Sequence, residues 1–240
     1  TSILEEEHSV DLSDRDEARR KAVEHLMAWG GMPELLQLED AERKEWLRSY
    51  EITYLERDLG DLARLDDLGP FRRFQQLAAL RTGALLSYAD LARDAGVSPA
   101  TARRYLEYLR LSYQAILLQP FATNLTSALV KSPKLYWTDV GLARQQSGIW
   151  GNVGGQLLET LVVGECTKWI QTAGLEARMS FYRTRSGMEL DLMIEHDDRV
   201  LGIEVKSRDQ VVSKDLRAMR AVADVLGERW QGGIVAYGGR

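Results

Sequence analysis

The chain has 240 residues, of which 45% are hydrophobic and 28% charged, a composition typical of a globular protein with one or two domains. Its formal net charge of −5 gives no overall attraction to nucleic acid, so any DNA contact must come from a local basic patch. The single cysteine, Cys166, excludes an intrachain disulfide, and no apolar run approaches the length of a membrane span. We therefore expect a cytoplasmic protein that does not enter a membrane.

Residues 1–69 have the pattern of a helical segment. Apolar residues recur at helical spacing before Trp29, the stretch Trp29–Glu34 (W-G-G-M-P-E) is a break, and a second helical pattern follows over residues 41–59. The segment holds too little apolar surface for a filled core of its own. We expect it to pack on another part of the protein.

Residues 70–147 have the pattern of a winged helix. Ser98 followed by Pro99 is a favoured start for a helix, and Gly96 lies in the turn before it, which together indicate a helix-turn-helix. Two apolar stretches after this motif indicate the strands of the wing. The predicted elements are helices over 70–80, 87–94 and 98–110 and strands over 113–118 and 134–138.

A winged helix binds DNA when its second helix presents polar and basic side chains to a groove. Arg103 and Arg104 fall on the outer face of that helix, and Lys131 and Lys134 flank the predicted wing. We predict that these four residues contact nucleic acid. The alternative is a winged helix that serves only packing or protein contacts. Because the overall charge is acidic, we weigh this alternative equally with DNA binding.

Residues 148–240 have the pattern of an α/β domain. A helix is predicted over 156–171, with Glu159 close to its apolar face, and carboxylates on such a face require a partner. A second helix is predicted over 208–227 and a short buried strand over 233–237. The chain contains no G-x-x-x-x-G-K-[ST] motif, so we expect no ATP site in it.

Two facing strands carry the chemistry of this domain. The stretches 188–194 and 200–206 are apolar, and the polar turn 196–199 between them is typical of a hairpin. Asp191 lies in the first strand, and Glu204 and Lys206 share one face of the second. Converging carboxylates are ligands for Mg²⁺, and a neighbouring lysine can orient water or offset phosphate charge. The alternative is that these charged residues simply lie on a solvated strand edge.

This D…E-x-K pattern, with thirteen residues from Asp191 to Glu204, resembles the signature of the PD-(D/E)XK nuclease-like superfamily. The resemblance implies a metal site for Mg²⁺, with Mn²⁺ as a substitute, held by Asp191, Glu204 and the Val205 carbonyl and completed by Glu159. It implies Lys206 as the catalytic lysine. Arg183 and Arg185 lie just before the hairpin and are candidates for contacts to the nucleic acid backbone; the alternative is that they are ordinary solvated arginines.

The arrangement as a whole resembles the C-terminal portion of bacterial and archaeal AAA-type ATPases that carry a C-terminal domain of unknown function. The resemblance is carried by Trp29–Glu34, Trp46–Leu59, Lys134–Leu142 (K-L-Y-W-T-D-V-G-L), Gly155–Glu165 and the block from Phe181 to Ser207. It implies an ATPase core in the same polypeptide, then a winged helix, then a nuclease-like fold.

These observations lead to one overall expectation. The fold is α/β (α+β overall), with a helical segment over 1–69, a winged helix over 70–147 and a nuclease-like core over 148–240. The expected function is a DNA-associated module of an AAA-type ATPase with a metal-dependent nuclease-like site, in a chain that can form homo-oligomers. The alternative is a non-catalytic DNA-binding, protein-interaction or assembly module with a relic acidic cluster.

Overall fold

The computed structural model describes residues 16–54, 57, 67–121, 132–151 and 154–238. Within these ranges the chain forms eight α-helices and one seven-stranded mixed sheet, which confirms the predicted α+β class. None of the described helices combines the length and the apolar character needed to cross a membrane.

Two helices and a short 3₁₀ turn form the N-terminal part: α1 (Asp16–Trp29), the turn Pro33–Gln37 and α2 (Asp40–Thr53). A capping box begins α2, in which the Glu42 carboxylate accepts a hydrogen bond from the Glu39 N–H at 2.9 Å. Both predicted helices are present, and the predicted end of the second one lies outside the described residues.

The break after α1 docks on helix α6 (Val140–Ser147). One carboxylate oxygen of Asp139 caps α6, and the other accepts a hydrogen bond from the Gly31 N–H at 2.7 Å. A Cβ atom at Gly141 would lie 1.8 Å from the Trp29 carbonyl oxygen, so only glycine allows the two backbones to approach this closely. The N-terminal segment is thus packed on the rest of the protein, as its composition predicts.

The next part has the element order and strand pairing of a winged helix. Ser87 and Ser98 cap the two helices of the helix-turn-helix, and Gly96 ends the first of them in the left-handed conformation, with φ of 70°. The strands pair antiparallel in the order β1-β3-β2. The elements are α3 (Gly69–Ala79), β1 (Ala84–Leu85), α4 (Tyr88–Ala95), α5 (Pro99–Leu111), β2 (Ala115–Pro120) and β3 (Lys134–Trp137).

The C-terminal part is a helix, a three-stranded antiparallel meander, a helix and a last strand parallel to the meander. The predicted hairpin is present, and its turn places Asp197 and Asp198 at positive φ, which suits a tight two-residue turn. The elements are α7 (Gly155–Thr172), β4 (Arg178–Arg183), β5 (Glu189–His196), β6 (Arg199–Lys206), a 3₁₀ turn (Ser213–Leu216), α8 (Arg217–Leu226) and β7 (Trp230–Tyr237).

One sheet runs through both parts in the order β1-β3-β2-β4-β5-β6-β7. The junction is the parallel pair β2–β4, where Gln119 lies opposite Ser180 and the Phe121 N–H donates to the Phe181 carbonyl at 2.7 Å. The sheet therefore continues across residue 148, where the sequence predicts a domain boundary.

Helices α7 and α8 cover opposite faces of the C-terminal strands. Val163 and Ile170 of α7 pack with Leu192 and Val205, whereas a separate apolar cluster lies under α8. The prediction of a buried last strand is wrong, because β7 is the final strand of the sheet and the Ile234 side chain is half exposed.

Candidate metal centre

A β-bulge sets the position of Asp191. Ser180 pairs with Met193, and Tyr182 pairs with Leu190. These two pairs are two residues apart along β4 but three residues apart along β5, which is the signature of a bulge. Leu190 and Met193 therefore both pack under α8, and the residues between them, Asp191 and Leu192, are on the α7 side.

The Asp191 carboxylate also takes the place of a backbone hydrogen-bond acceptor between β5 and β6. The register pairs of these strands begin at Leu192 and Ile203, and beyond them the Val205 N–H donates to Asp191 Oδ2 at 2.8 Å. A side chain thus satisfies a backbone donor that would otherwise be unpaired. This bond fixes one oxygen of Asp191 against β6 and leaves the other facing α7.

Three carboxylates meet on the α7 side of the sheet. Glu189 and Asp191 come from β5, Glu159 comes from the first half of α7, and each offers an oxygen within 4.8 Å of the others. We call these three residues the acidic triad. Such a group of oxygen ligands suits a hard divalent cation.

Lys134 of β3 reaches into the acidic triad. Its Nζ lies 2.6 Å from Glu159 Oε1, forms an ion pair with Glu189 and lies 3.9 Å from Asp191 Oδ1. The lysine side chain is only 3% exposed. An unpaired ammonium buried to this degree would be very costly, so the triad and the lysine stabilise one another.

Two further side chains complete the surroundings of the triad. The Tyr136 hydroxyl, on the same strand as Lys134, donates a hydrogen bond to Glu159. Arg183 Nη1 lies 2.6 Å from Glu189 Oε2. The lysine and the arginine thus offset part of the three formal negative charges of the triad.

Glu204 and Lys206 form a pair next to the triad. Ile203 and Val205 pack toward α7, so strand alternation turns Glu204 and Lys206 away from it. Glu204 is paired with the Lys206 ammonium, which also lies 4.0 Å from Asp191 Oδ2. Among the described residues, nothing donates a hydrogen bond to the second oxygen of Glu204, although that oxygen is buried.

The carboxylates are crowded, and their pKa values show it. Burial raises the pKa of Glu159 against the opposing charge of Lys134, and burial also raises the pKa of Asp191. Burial and then the charge of Asp191 raise the pKa of Glu204 to about 7. Burial tends to lower the pKa of Lys134, but the two glutamates bonded to it outweigh this effect and raise it. An additional cation would relieve the crowding.

The structure changes the membership of the predicted metal site. Glu159 and Asp191 do meet, but Glu189 takes the third place in the group, and Glu204 lies outside it for the reason of strand alternation given above. The Val205 carbonyl accepts a hydrogen bond from Lys206 Nζ at 3.2 Å. The roles predicted for these residues in metal binding and catalysis remain predictions.

The residues predicted to bind nucleic acid are in different environments. Arg103, Arg104 and Arg185 are exposed, whereas Arg183 is held by its ion pair with the triad. Lys131 lies outside the described residues. The prediction for Lys134 needs correction, because its burial and its bonds to two glutamates leave it no surface to offer a nucleic acid.

The sequence did not lead us to predict Tyr136 as a site residue, and Lys134 was predicted to contact nucleic acid. The alternation of Lys134 and Tyr136 along β3 was a signal that both point the same way. Nothing in the local sequence shows that they point at α7, because this depends on the β2–β4 junction, which joins segments about sixty residues apart.

Comparisons with known proteins place the chain in a family. Residues 20–152 match "Domain of unknown function (DUF8612)", and residues 154–240 match "Domain of unknown function (DUF4143)". The uncharacterized proteins Rv2008c of Mycobacterium tuberculosis and Mb2031c of Mycobacterium bovis are each 30% identical over 204 residues, covering 82% of this chain and 46% of the relative.

The chain thus spans about half the length of these two relatives. No solved structure matches it significantly. The first of the two family matches covers more than half of the chain. The chain belongs to the DUF8612 family, and its C-terminal part matches DUF4143.

Proposed function

We propose that the chain is a DNA-associated module of an AAA-type ATPase and carries a magnesium-dependent, nuclease-like site in residues 154–240. The order α7, meander, α8 and a last strand parallel to β6 supports a PD-(D/E)XK-like core. The relatives extend well beyond the 46% that matches, which leaves room for an ATPase core.

The acidic triad is the observation that carries this proposal. Oxygens bound to one octahedral Mg²⁺ lie about 3 to 4 Å apart, and the triad brings three carboxylate oxygens within 4.8 Å of one another. The buried second oxygen of Glu204, beside the triad, has no hydrogen-bond donor among the described residues, which is a second sign that these surroundings lack positive charge. Glu159, Glu189 and Asp191 would hold the ion.

The protein groups around the triad have separate roles in the proposed reaction. A bound Mg²⁺ would polarise a phosphate and lower the pKa of coordinated water. Burial tends to lower the pKa of Lys206, but its bond to Glu204 and the charge of Asp191 raise it, so the ammonium stays protonated. Lys206 therefore acts as a hydrogen-bond donor to phosphate and not as a base.

Helix α5 provides the proposed DNA contact. Arg103 and Arg104 are exposed there, and the Arg103 guanidinium lies over the Tyr88 ring, 4.3 Å from its centre. Reversing both charges (Arg103→Glu with Arg104→Glu) should weaken salt-sensitive binding in gel-shift titrations. The matched control reverses two exposed arginines of α8, Arg217 and Arg220. Equal binding by both double variants would argue against DNA recognition by α5.

Calorimetric titration with Mn²⁺ tests the metal site. The wild-type chain should bind the ion, and Asp191→Asn should bind it at least about tenfold more weakly, because a ligand charge is lost while an acceptor for the Val205 N–H is kept. Glu165→Gln is the control, since Glu165 lies on α7 but pairs with Lys168 on the surface.

Plasmid and oligonucleotide cleavage with Mg²⁺ would follow for the same variants. Cleavage that disappears in Asp191→Asn and persists in Glu165→Gln would support the nuclease-like activity. Absence of Mn²⁺ binding in the wild-type protein would refute the metal-dependent function.

A second candidate is a non-catalytic module, and Lys134 favours it. The lysine already gives the triad a positive charge in contact with two of its members. On this proposal the cluster is a structural ion-pair network, and the winged helix carries the DNA or protein contacts. Wild-type protein that binds DNA but no divalent cation would support it.

A further inference from the structure

Lys134 touches the acidic triad where a cation would bind. Its Nζ is bonded to Glu159 and Glu189 and lies 3.9 Å from Asp191, so it approaches one oxygen of each triad member. A divalent cation bound between the three carboxylates would use oxygens of the same three side chains. The ammonium and a divalent cation would therefore compete for the same ligands.

The sheet fixes the position of the Lys134 backbone. The Lys134 backbone is paired on both sides, opposite Leu85 in β1 and Leu118 in β2. Its Nζ lies 5.4 Å from the centre of the buried Phe181 ring. Only the side chain, not the strand, is free to change position when a competing cation arrives.

Charge decides whether both cations can be present together. A divalent ion among the triad oxygens would lie within about 4 Å of the lysine ammonium, and like charges at this separation repel strongly in a buried site. Counting Glu204 with the triad, four carboxylates face the ammonium groups of Lys134 and Lys206 and the guanidinium of Arg183, which leaves one formal negative charge in excess. That excess attracts a metal ion but does not accommodate it beside the lysine.

We infer that Lys134 is a built-in counter-ion that a divalent cation must displace, so that the DUF8612 part of the chain sets the metal affinity of the DUF4143 part. Lys134 lies within residues 20–152 and the triad lies within 154–240. The inference rests on the proposed metal site and adds that Lys134 controls the affinity of this site for the ion. Residues from both matched domains then form the site.

Removal of the ammonium tests the competition. In Lys134→Met the side chain keeps an unbranched apolar stem of similar length, one atom shorter, and loses its charge. We expect Mn²⁺ to bind at least about tenfold more tightly than to the wild-type chain, in calorimetric titrations at equal pH and salt. Lys168→Met is the matched control, because it removes a lysine from the exposed face of α7, and its affinity should equal that of the wild type.

Chemical labelling of the unaltered protein gives a second readout that does not depend on the folding of a variant. Without metal, Lys134 should react with acetic anhydride far more slowly than the exposed Lys168, as read by peptide mass spectrometry. Saturating Mg²⁺ should increase labelling of Lys134 several-fold, because the displaced ammonium loses its carboxylate partners, and should leave Lys168 unchanged.

The outcomes separate this inference from the metal site itself. Wild-type binding with equal or weaker binding by Lys134→Met, or with no change in Lys134 labelling, would overturn the competition and leave the metal site standing. Binding by Lys134→Met alone would support the competition and refute a metal-dependent function of the wild-type chain. Absence of binding in both proteins would refute both.

Discussion

Several individual side chains at the triad are buried and charged at once. Lys134 is 2% and Glu204 5% exposed as whole residues, and each depends on a partner of opposite charge. Removing one member of such a pair leaves a buried charge without compensation, which costs far more than the loss of an exposed ion pair. The stability of the metal-free protein should therefore depend strongly on these few residues.

A double-mutant cycle on Lys134 and Glu159 measures this dependence. In chelator, Lys134→Met should lower the free energy of unfolding by about 3 kcal/mol, and adding Glu159→Gln should cost much less than it does in the wild type. Urea unfolding of the four proteins gives the coupling. The same cycle on the exposed pair Lys168 and Glu165 should give well below about 1 kcal/mol. Equal coupling in the two cycles would contradict the role of burial.

Glu204 should make stability depend on pH. Its pKa is raised from 4.5 to about 7 in the fold, so the folded state binds the proton more tightly than the unfolded state. Stability from this group is present below pH 4.5 and is lost as the pH rises to about 7. Compared with Glu204→Gln, the wild type should lose on the order of 2 kcal/mol across this interval. Parallel pH profiles of the two proteins in chelator-containing urea titrations would disprove this.

Among the secondary-structure elements, the capped helices of the helix-turn-helix follow the sequence more closely than the strands do. Ser87, Ser98 and Gly96 fix the helix-turn-helix because capping and left-handed turns depend on nearby residues. Strand β4 was missed, and α8 begins at Arg217 instead of near residue 208. The exposure of β7 was missed as well, because edge or interior position depends on the neighbours of a strand and not on its own residues.

Glycine 141 offers a test of how the N-terminal helices dock. In Gly141→Ala the new Cβ would overlap the Trp29 carbonyl oxygen, so α1 and α6 must separate. We expect a loss of about 3 kcal/mol in the free energy of unfolding. Gly155→Ala, in the first turn of α7, makes only ordinary contact with Ser207 and should be neutral or stabilising. Equal stability of the two variants in thermal unfolding would show that the close approach is not needed.

At the scale of the whole molecule, the β2–β4 junction joins strands β1 to β3 and strands β4 to β7 in one sheet within the described residues. Asp191 could be predicted as a candidate site residue because the D…E-x-K pattern is local to one hairpin, although the same pattern also predicts Glu204, which lies outside the acidic triad. The meeting of Lys134 with Glu159 could not, because it requires the pairing of distant strands and the bulge that turns Asp191 toward α7. Local patterns therefore indicate Glu159 and Asp191 as candidates, whereas the place of Lys134 among the carboxylates depends on the topology of the sheet.

A continuous sheet should unfold as a single cooperative unit. Trp137 is buried in β3 and Trp230 lies in β7, so two of the six tryptophans lie on either side of the β2–β4 junction. Urea transitions of Trp137→Phe and Trp230→Phe, each followed by fluorescence and by circular dichroism, should coincide for a given variant. Two separated transitions would mean that the parts fold independently in spite of the junction.

The hydrogen bond from the Val205 N–H to Asp191 has a practical consequence. An amide that donates to a carboxylate has a proton resonance that moves when the carboxylate changes its charge or its partners. The Val205 amide is thus a spectroscopic probe that the fold itself provides, placed one bond away from the acidic triad. Its nuclear magnetic resonance signal would follow protonation and cation binding at Asp191 in the unmodified protein, without a label at the site.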